Sequence, residues 1–225
     1  AFRLAVRHMT PVVVLSDSYL ANSAEPWPIP DVKALGKERV PLRVDPEGFQ
    51  PYARDAQTLA RPWAIPGTPG LEHRIGGLSK QEGSGNVAYD PTNNMRMHAL
   101  RHDKVARIAD EIPAIEVLGP DRGDLIVVGW GGTRGAIVSA CEEARRDGLP
   151  VSNIHLRHLN PFPADLGEVL SRFDKVLVAE LNAGQLALLI RAEFLVDAQS
   201  LSKVEGQPFR VEEIRARIET ALQEK

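Results

Sequence analysis

The chain has 225 residues, 43% of them hydrophobic, a formal net charge of −3 and a single cysteine. That length holds one good core of roughly 100 to 150 residues plus additional material, and the charge balance, with no basic run or aromatic-interleaved stripe, argues against a nucleic-acid surface. No apolar run approaches the roughly 20 residues of a membrane helix and no signal peptide opens the chain, so a cytoplasmic location is expected.

From the first residue, Phe2, Ala5, Val6 and Met9 recur at helical spacing with no cap before them, as in a helix entered midway. The sequence is therefore expected to be the C-terminal part of a longer polypeptide. Thr10-Pro11 ends that helix, and Val12 to Leu15 reads as a short buried strand. Ser16-Asp17-Ser18 follows at its carboxyl end, where ligands of open α/β sheets gather, although an Asp with two Ser also suits a plain turn.

From Asn22 to Gly70 prolines break every period, yet Trp27, Phe49, Tyr52 and Trp63 are too many aromatics for a solvated linker. An ordered strap against a folded surface is expected, with a domain boundary near Thr68. Gly70 to Gly85 is a glycine-rich loop pair carrying Glu72, His73, Arg74, Lys80, Gln81 and Glu82. It suits either a mobile loop at a site or a solvated hairpin turning at Gly76-Gly77. Asp90-Pro91 then supplies an N-cap and a first-turn proline for a helix ending at Ile112-Pro113, with Met97, Leu100, Val105 and Ile108 on its apolar side. His98 and His102 share a face of it but lack a third metal ligand.

Leu125 to Leu149 is the clearest strand, glycine turn and helix in the chain. Leu125 to Val128 is an unbroken apolar run, the pattern of a strand buried on both faces of a parallel sheet. Gly129, Gly131 and Gly132 permit a tight turn, Thr133 stands where a capping hydroxyl would serve, and Ile137, Cys141 and Ala144 recur at helical spacing before Gly148. Amides at such a turn can cradle an anion. The full G-x-G-x-x-G spacing and the downstream acidic ribose partner of a nucleotide fingerprint are absent, which favours a plain α/β connection. Cys141 faces the core side of the helix, and one cysteine excludes both an internal disulfide and an iron–sulfur cluster held by this chain alone.

Val151 to Leu156 reads as the next strand, with His155 and Arg157 near its end; Ala164 to Phe173 as a short helix; and Lys175 to Leu181 as another buried strand. Glu180 to Gln185 leads into a well-buried helix from Leu186 to Asp197, Val204 marks a last short strand, and Val211 to Gln223 a closing amphipathic helix. Three βα steps in sequence imply an α/β fold, a mostly parallel sheet with helices on both faces.

Taken in order, VVVLSDSYLAN, EPW, GLEHRIGGL, GNVAYDP, VVGWGGTRGAI, HLRHLNPFP and ELNAGQLALLIRAEFLVDA resemble the C-terminal third of the α subunit of 2-oxoglutarate:ferredoxin oxidoreductase, or 2-oxoglutarate synthase. That family belongs to the thiamine-diphosphate 2-oxoacid:acceptor oxidoreductases. The resemblance implies the last helix and strand of a pyrimidine-binding domain over residues 1–21, a proline-rich connector over 22–68 and a transketolase C-terminal-like domain over 69–225. It implies oxidative decarboxylation of 2-oxoglutarate with coenzyme A to succinyl-coenzyme A, carbon dioxide and reduced ferredoxin, or the reverse. Thiamine diphosphate, Mg2+ and a [4Fe-4S] cluster are implied for the whole complex, held mainly by a β subunit and by upstream residues, with none bound by this segment alone. The implied partners are that β subunit and ferredoxin, in an α2β2 heterotetramer.

On the same mapping Ser16, Asp17 and Asn22 are expected to line the edge of the cofactor or substrate cleft. In the Glu72 to Glu82 loop, His73 is a further candidate, and Arg74 or Lys80 could face an anionic substrate or coenzyme A. Ser79-Lys80-Gln81 intervenes there, where an acidic pair is common in the family. Glu180, Asn182 and Gln185 match its E-x-N-x-G-Q motif and are expected to organise the turn and a subunit surface. Catalytic residues are expected upstream. The alternatives are the same chemistry on pyruvate or a branched-chain 2-oxoacid, a non-catalytic anion- or nucleotide-binding module, and a purely structural domain.

Overall fold

The computed structural model describes residues 1–37 and 39–224; Glu38, inside the proline-rich stretch, and Lys225, the last residue, lie outside the described residues. In chain order the elements are α1 (Phe2–His8), α2 (Ser18–Asn22), β1 (Leu42–Arg43), β2 (Trp63–Ala64), α3 (Pro91–Ala106), β3 (Gly123–Trp130), α4 (Arg134–Arg146), β4 (Val151–Leu156), α5 (Leu166–Leu170), β5 (Phe173–Glu180), α6 (Gln185–Phe194), β6 (Ala198–Ser202) and α7 (Val211–Gln223). They fall into two compact units. Ala1–Val14 and Trp27–Glu111 make the first; Leu15–Pro26 and the residues from Ile112 onward make the second.

In the first unit α1 buries Val6 and His8, and His8 Nε2 lies 2.9 Å from Glu111 Oε1. The proline-rich stretch adds Leu59 and Ala60 to the core, and Trp63 Nε1 donates to the carbonyl of Val6 at 2.9 Å. Not all of the strap is covered. Trp27 is 72% exposed, because the chain around it adds no neighbouring element for an aromatic to pack on. Helix α3 begins as its sequence dictates: the Asp90 carboxylate accepts from the amides of Thr92 and Asn93, and Pro91 follows as the first helical residue. Met97 is its buried anchor, and Ile108 is buried in the 3-10 turn Arg107–Glu111 that follows.

Two local expectations fail in this unit. Val12 to Leu15 forms no strand, and Val13 and Val14 are 79% and 74% exposed. An apolar run becomes a strand only where another edge offers it hydrogen bonds, and the described residues offer none here. The glycine-rich loop does fold back on itself, through an antiparallel bridge between Lys80 and Val87, but its turn lies at Gly83 to Gly85 rather than Gly76-Gly77.

The second unit is the three-layer parallel α/β arrangement that the strand–turn–helix pattern implies. Its sheet has the order β4-β3-β5-β6, all parallel, and Val127 of the central strand β3 sits between Asn153 of β4 and Leu177 of β5. Leu125, Ile126, Val127 and Val128 have no exposed surface. Alternation sends Leu125 and Val127 to the layer of α4 and α7, against Ile137, Cys141, Ile214 and Ile218. Ile126 and Val128 face α5 and α6, against Leu166, Leu170, Leu186 and Ile190. Each such side chain contributes about 1.5–3 kcal/mol on burial, so both faces of β3 hold the unit together.

Periodicity misleads at two places here. Helix α6 is apolar on most sides, yet only Leu186, Ala187 and Ile190 face the sheet, and Leu188 stays 67% exposed. The last strand is Ala198–Ser202, and Val204 lies beyond it, 73% exposed. An edge strand needs one apolar face only, so AQSLS carries no continuous hydrophobic signal.

Two measurements follow from this burial. The Cys141 thiol has no exposed surface, and burial pushes it up to about 12, against a weaker opposing pull from Arg145. It should resist a thiol reagent in the native protein and react on unfolding; rapid native labelling would contradict the packing of α4. Lys104, half-buried on α3, is pushed down to about 8 by burial first and then by Arg54, Arg61 and Arg101. Its folded value lies below its unfolded one, so between about pH 8 and about 10.5 the unfolded chain binds more protons. The penalty is therefore fully present below that window and relieved as pH rises through it. Denaturant unfolding across the window should show the wild type gaining stability relative to Lys104→Met, and parallel curves would contradict it.

Candidate functional site at the carboxyl edge of the sheet

Parallel strands end on a common side, and the helices that start there present free amide groups that need acceptors. In the second unit the chain supplies those acceptors itself. Glu180, the last residue of β5, has no exposed surface, and its Oε2 and Oε1 accept from the amides of Leu186 and Ala187 at 2.9 and 3.0 Å. Asn182 Oδ1 accepts from Gly184 and Gln185 at 2.8 and 3.1 Å, and Gly184 takes φ +91, a left-handed conformation that favours glycine. Four amides at the start of α6 are thereby satisfied by two residues of the E-x-N-x-G-Q stretch.

The glycine turn after β3 is closed in the same way, by an unexpected group. Thr133 does not cap α4; its hydroxyl turns back to accept from the Trp130 amide at 3.1 Å and to donate to the Trp130 carbonyl at 2.9 Å. The acceptor that reaches the turn is Asp17. Its Oδ2 accepts from the Gly132 amide at 2.8 Å, while Oδ1 accepts from Leu20 at 2.8 Å as the N-cap of α2. A β-carbon at Gly132 would stand 2.4 Å from Asp17 Oδ2, so the clasp requires glycine there. The anion niche of the turn is filled by the chain's own carboxylate.

Beside this clasp lies an open cleft of about 470 Å³, lined by Asp17, Tyr19, Asn22, Leu181, Lys203 and Gln207 among others. Asn22 donates its side-chain amide to the Ser18 carbonyl, and Ser16 is exposed just before the clasp. Lys203 is 8% exposed, and its Nζ donates to both carboxylate oxygens of Glu213 at 2.8 Å. That bond, with a further one from the Arg210 amide, holds the Glu213 carboxyl below its usual range. No motif pointed to Lys203; its only signal is a lysine just after an edge strand. At the end of β4, His155 Nδ1 is buried without a partner, and burial, then Arg134 and Arg157, push the imidazole down toward its neutral form.

The other predicted residues belong to the first unit. His73 Nδ1 lies 2.8 Å from the Leu71 carbonyl, with its ring edge-on to Phe49. Arg74 is exposed. Lys80 is 4% exposed, and its Nζ donates to the carbonyls of Gly76 and Leu78 at 2.9 and 2.7 Å, within its own loop.

The residues present do not suit the metal groups that the motif resemblance implies. The one thiol is buried in the core with a raised pKa, and the described residues bring together no group of three His, Cys, Asp or Glu side chains suited to a metal ion.

Comparison with known proteins bears out the resemblance carried by the motifs. Residues 123–214, from the first residue of β3 into α7, match the family described as pyruvate:ferredoxin oxidoreductase core domain II. The chain is 52% identical over 223 residues to the 2-oxoglutarate oxidoreductase subunit KorA of Mycobacterium tuberculosis, covering 99% of this chain and 34% of that protein. It is 28% identical to the 2-oxoglutarate synthase subunit KorA of Methanothermobacter thermautotrophicus, covering 95% of this chain and 57% of the relative. A solved structure of 2-oxoglutarate:ferredoxin oxidoreductase from Magnetococcus marinus, with 2-oxoglutarate, coenzyme A and succinyl-CoA bound, superposes with a TM-score of 0.90 at 30% identity, over 98% of this chain and 39% of that one. This chain thus spans about a third to somewhat over half of the length of these proteins.

The clasp and the cap can be tested by unfolding. Asp17→Ala strands the Gly132 amide and uncaps α2, at a cost of about 1–3 kcal/mol. Gly132→Ala displaces the same carboxylate, so the double variant should fall short of the sum by about 0.5–3 kcal/mol; strict additivity would mean that the two do not interact. Glu180→Ala, which leaves the Leu186 and Ala187 amides without an acceptor, should cost roughly 2–4 kcal/mol.

Proposed function

We infer that this chain is a segment of the α subunit of a 2-oxoglutarate:ferredoxin oxidoreductase, and that the enzyme it serves carries out oxidative decarboxylation of 2-oxoglutarate. In that reaction coenzyme A accepts the acyl group, giving succinyl-coenzyme A and carbon dioxide, and two electrons pass to ferredoxin; the reverse carboxylation uses the same parts. The observation that carries this reading is 52% identity over 99% of the chain to a 2-oxoglutarate oxidoreductase subunit. The same alignment supports 2-oxoglutarate over pyruvate or a branched-chain 2-oxoacid as the substrate.

Within such an enzyme the segment's task is architectural. It supplies the end of a pyrimidine-binding domain over residues 1–21, a connector over 22–68 and a transketolase C-terminal-like domain over 69–225, and alone it is inactive. Thiamine diphosphate with Mg2+ supplies acyl-carbanion chemistry when bound, and a [4Fe-4S] cluster carries electrons; this segment's donor set fits neither metal group, so both are assigned to a β subunit and upstream residues. Ser16, Asp17 and Asn22 form the rim that this segment offers to the substrate cleft, with Asp17 held in place by the Gly132 amide. An α2β2 assembly in the cytoplasm completes the reading. The binding-module alternative loses its main support, since the glycine turn it would use already binds Asp17.

The test is to co-express the full-length subunit with its β partner and measure reduction of a low-potential acceptor. Reduction should require 2-oxoglutarate, coenzyme A and thiamine diphosphate together, and should be far slower with pyruvate. A complex that holds cofactor and cluster yet reduces nothing with any 2-oxoacid would overturn the assignment.

A further inference from the structure

Residues 12–15 read Val-Val-Val-Leu and belong to no helix, strand or turn. Val13, Val14 and Leu15 are 79%, 74% and 60% exposed. Among the described residues, the backbone amides and carbonyls of these four positions make no hydrogen bond. Apolar side chains and unpaired backbone are thus presented to water together. A solvated loop is built from glycine, proline and short polar residues, whereas three β-branched valines in a row favour extended geometry. In that geometry neighbouring side chains point to opposite sides, so Val13 and Val14 make both faces of the run apolar. Such a run suits the interior of a parallel sheet covered on both faces, as Leu125 to Val128 of β3 shows in the second unit.

The flanks have the matching form. Thr10-Pro11 separates the run from α1, which stands where the crossover helix from a preceding parallel strand would stand. Ser16 and Asp17 follow the run, and Asp17 caps α2 through Oδ1 while its Oδ2 accepts from Gly132. Helix, strand, polar turn and helix therefore lie in order, and only the neighbouring strands are missing. A second copy of the chain does not meet the need. Pairing the run with its own copy about a two-fold axis gives one antiparallel ladder of four residues, marginal in water, and leaves the other edge unpaired. The α-subunit reading supplies a larger source, since 99% of this chain aligns with 34% of the Mycobacterium tuberculosis relative and 98% with 39% of the Magnetococcus marinus chain. On that reading most of the subunit lies outside these residues.

We propose that Val12–Leu15 is an interior strand of a parallel sheet whose other strands come from the part of the same subunit that precedes Ala1. The proposal rests on the α-subunit reading and adds to it the strand, its two buried faces and its direction. The strand ends two residues before Asp17, so the same sheet also tethers the carboxylate that closes the turn after β3.

The experiment uses the full-length subunit complexed with its β partner. Hydrogen exchange in the wild type should find the amides of residues 13–15 protected at least about a hundredfold over free-chain rates. In Val13→Cys and Val14→Cys variants, each shown to fold by its melting curve, both thiols should react with a maleimide at least about a hundredfold more slowly than in denaturant, because the two side chains lie on opposite buried faces. Metabolic incorporation of photo-leucine should yield cross-links from Leu15 to peptides that precede Ala1. Unprotected amides or fast labelling of either cysteine overturn the proposal, as do cross-links confined to the β subunit or to the same run in another copy. Reduction of a low-potential acceptor, measured on the same sample, keeps the two readings apart. A complex active on 2-oxoglutarate with an open run sinks the strand alone, and a protected run in a complex inactive with every 2-oxoacid sinks the enzyme assignment alone.

Discussion

A carboxylate buried without exposure, Glu180, is the contact on which the arrangement of the second unit turns. Strand β5 must stop and reverse into α6, and the first turn of that helix would otherwise bury unpaired amides. Placing both oxygens on the Leu186 and Ala187 amides meets the requirement and costs the carboxylate no partner of opposite charge. The carbonyl of the same residue accepts from the Lys203 amide, so one position also anchors the exit from β6. That exit delivers Lys203 to the cleft wall.

The principle recurs at β3, with a different donor of charge. A tight glycine turn leaves the Gly132 amide pointing outward, and Asp17 answers it from 115 positions away in sequence. Segment 15–26 therefore groups with the second unit although both of its flanks group with the first. Because the chain's own acid occupies the niche, an anion-binding turn here is a structural latch. The adjoining cleft is then polar by construction: Asp17, Asn22 and Lys203 lie on it because each is held by a bond that also sets the fold.

What could be read from the sequence follows from how local each cause is. The β3 turn and α4 are legible because burial on both faces demands an uninterrupted apolar run, and α3 is legible because its cap and first-turn proline are adjacent residues. Val12 to Leu15 reads the same as β3 but lacks an edge to pair with, a fact no local pattern carries. Thr133 has the right chemistry for a cap and the wrong geometry, since its hydroxyl finds the Trp130 backbone closer. Lys80 looks like a surface cation until the Lys80–Val87 bridge folds the loop and brings the Gly76 and Leu78 carbonyls to its ammonium. Asp17 is legible as a polar residue after an apolar run, but its partner is not, because the bond joins residues 115 positions apart that share no local pattern.

The two units differ most in how they settle charge. In the second, the ionic groups at the carboxyl edge have answering groups: buried Glu180 has amides, half-buried Asp17 has amides, and buried Lys203 has Glu213. In the first, Glu111 serves Arg7 and His8, Glu82 pairs with Arg96, and Asp103 lies against His102. Lys104 is held there by a backbone oxygen, the Met9 carbonyl at 2.8 Å, and burial together with Arg54, Arg61 and Arg101 pushes its ammonium down to about 8, so charge in this unit is settled partly by easing the loss of a proton.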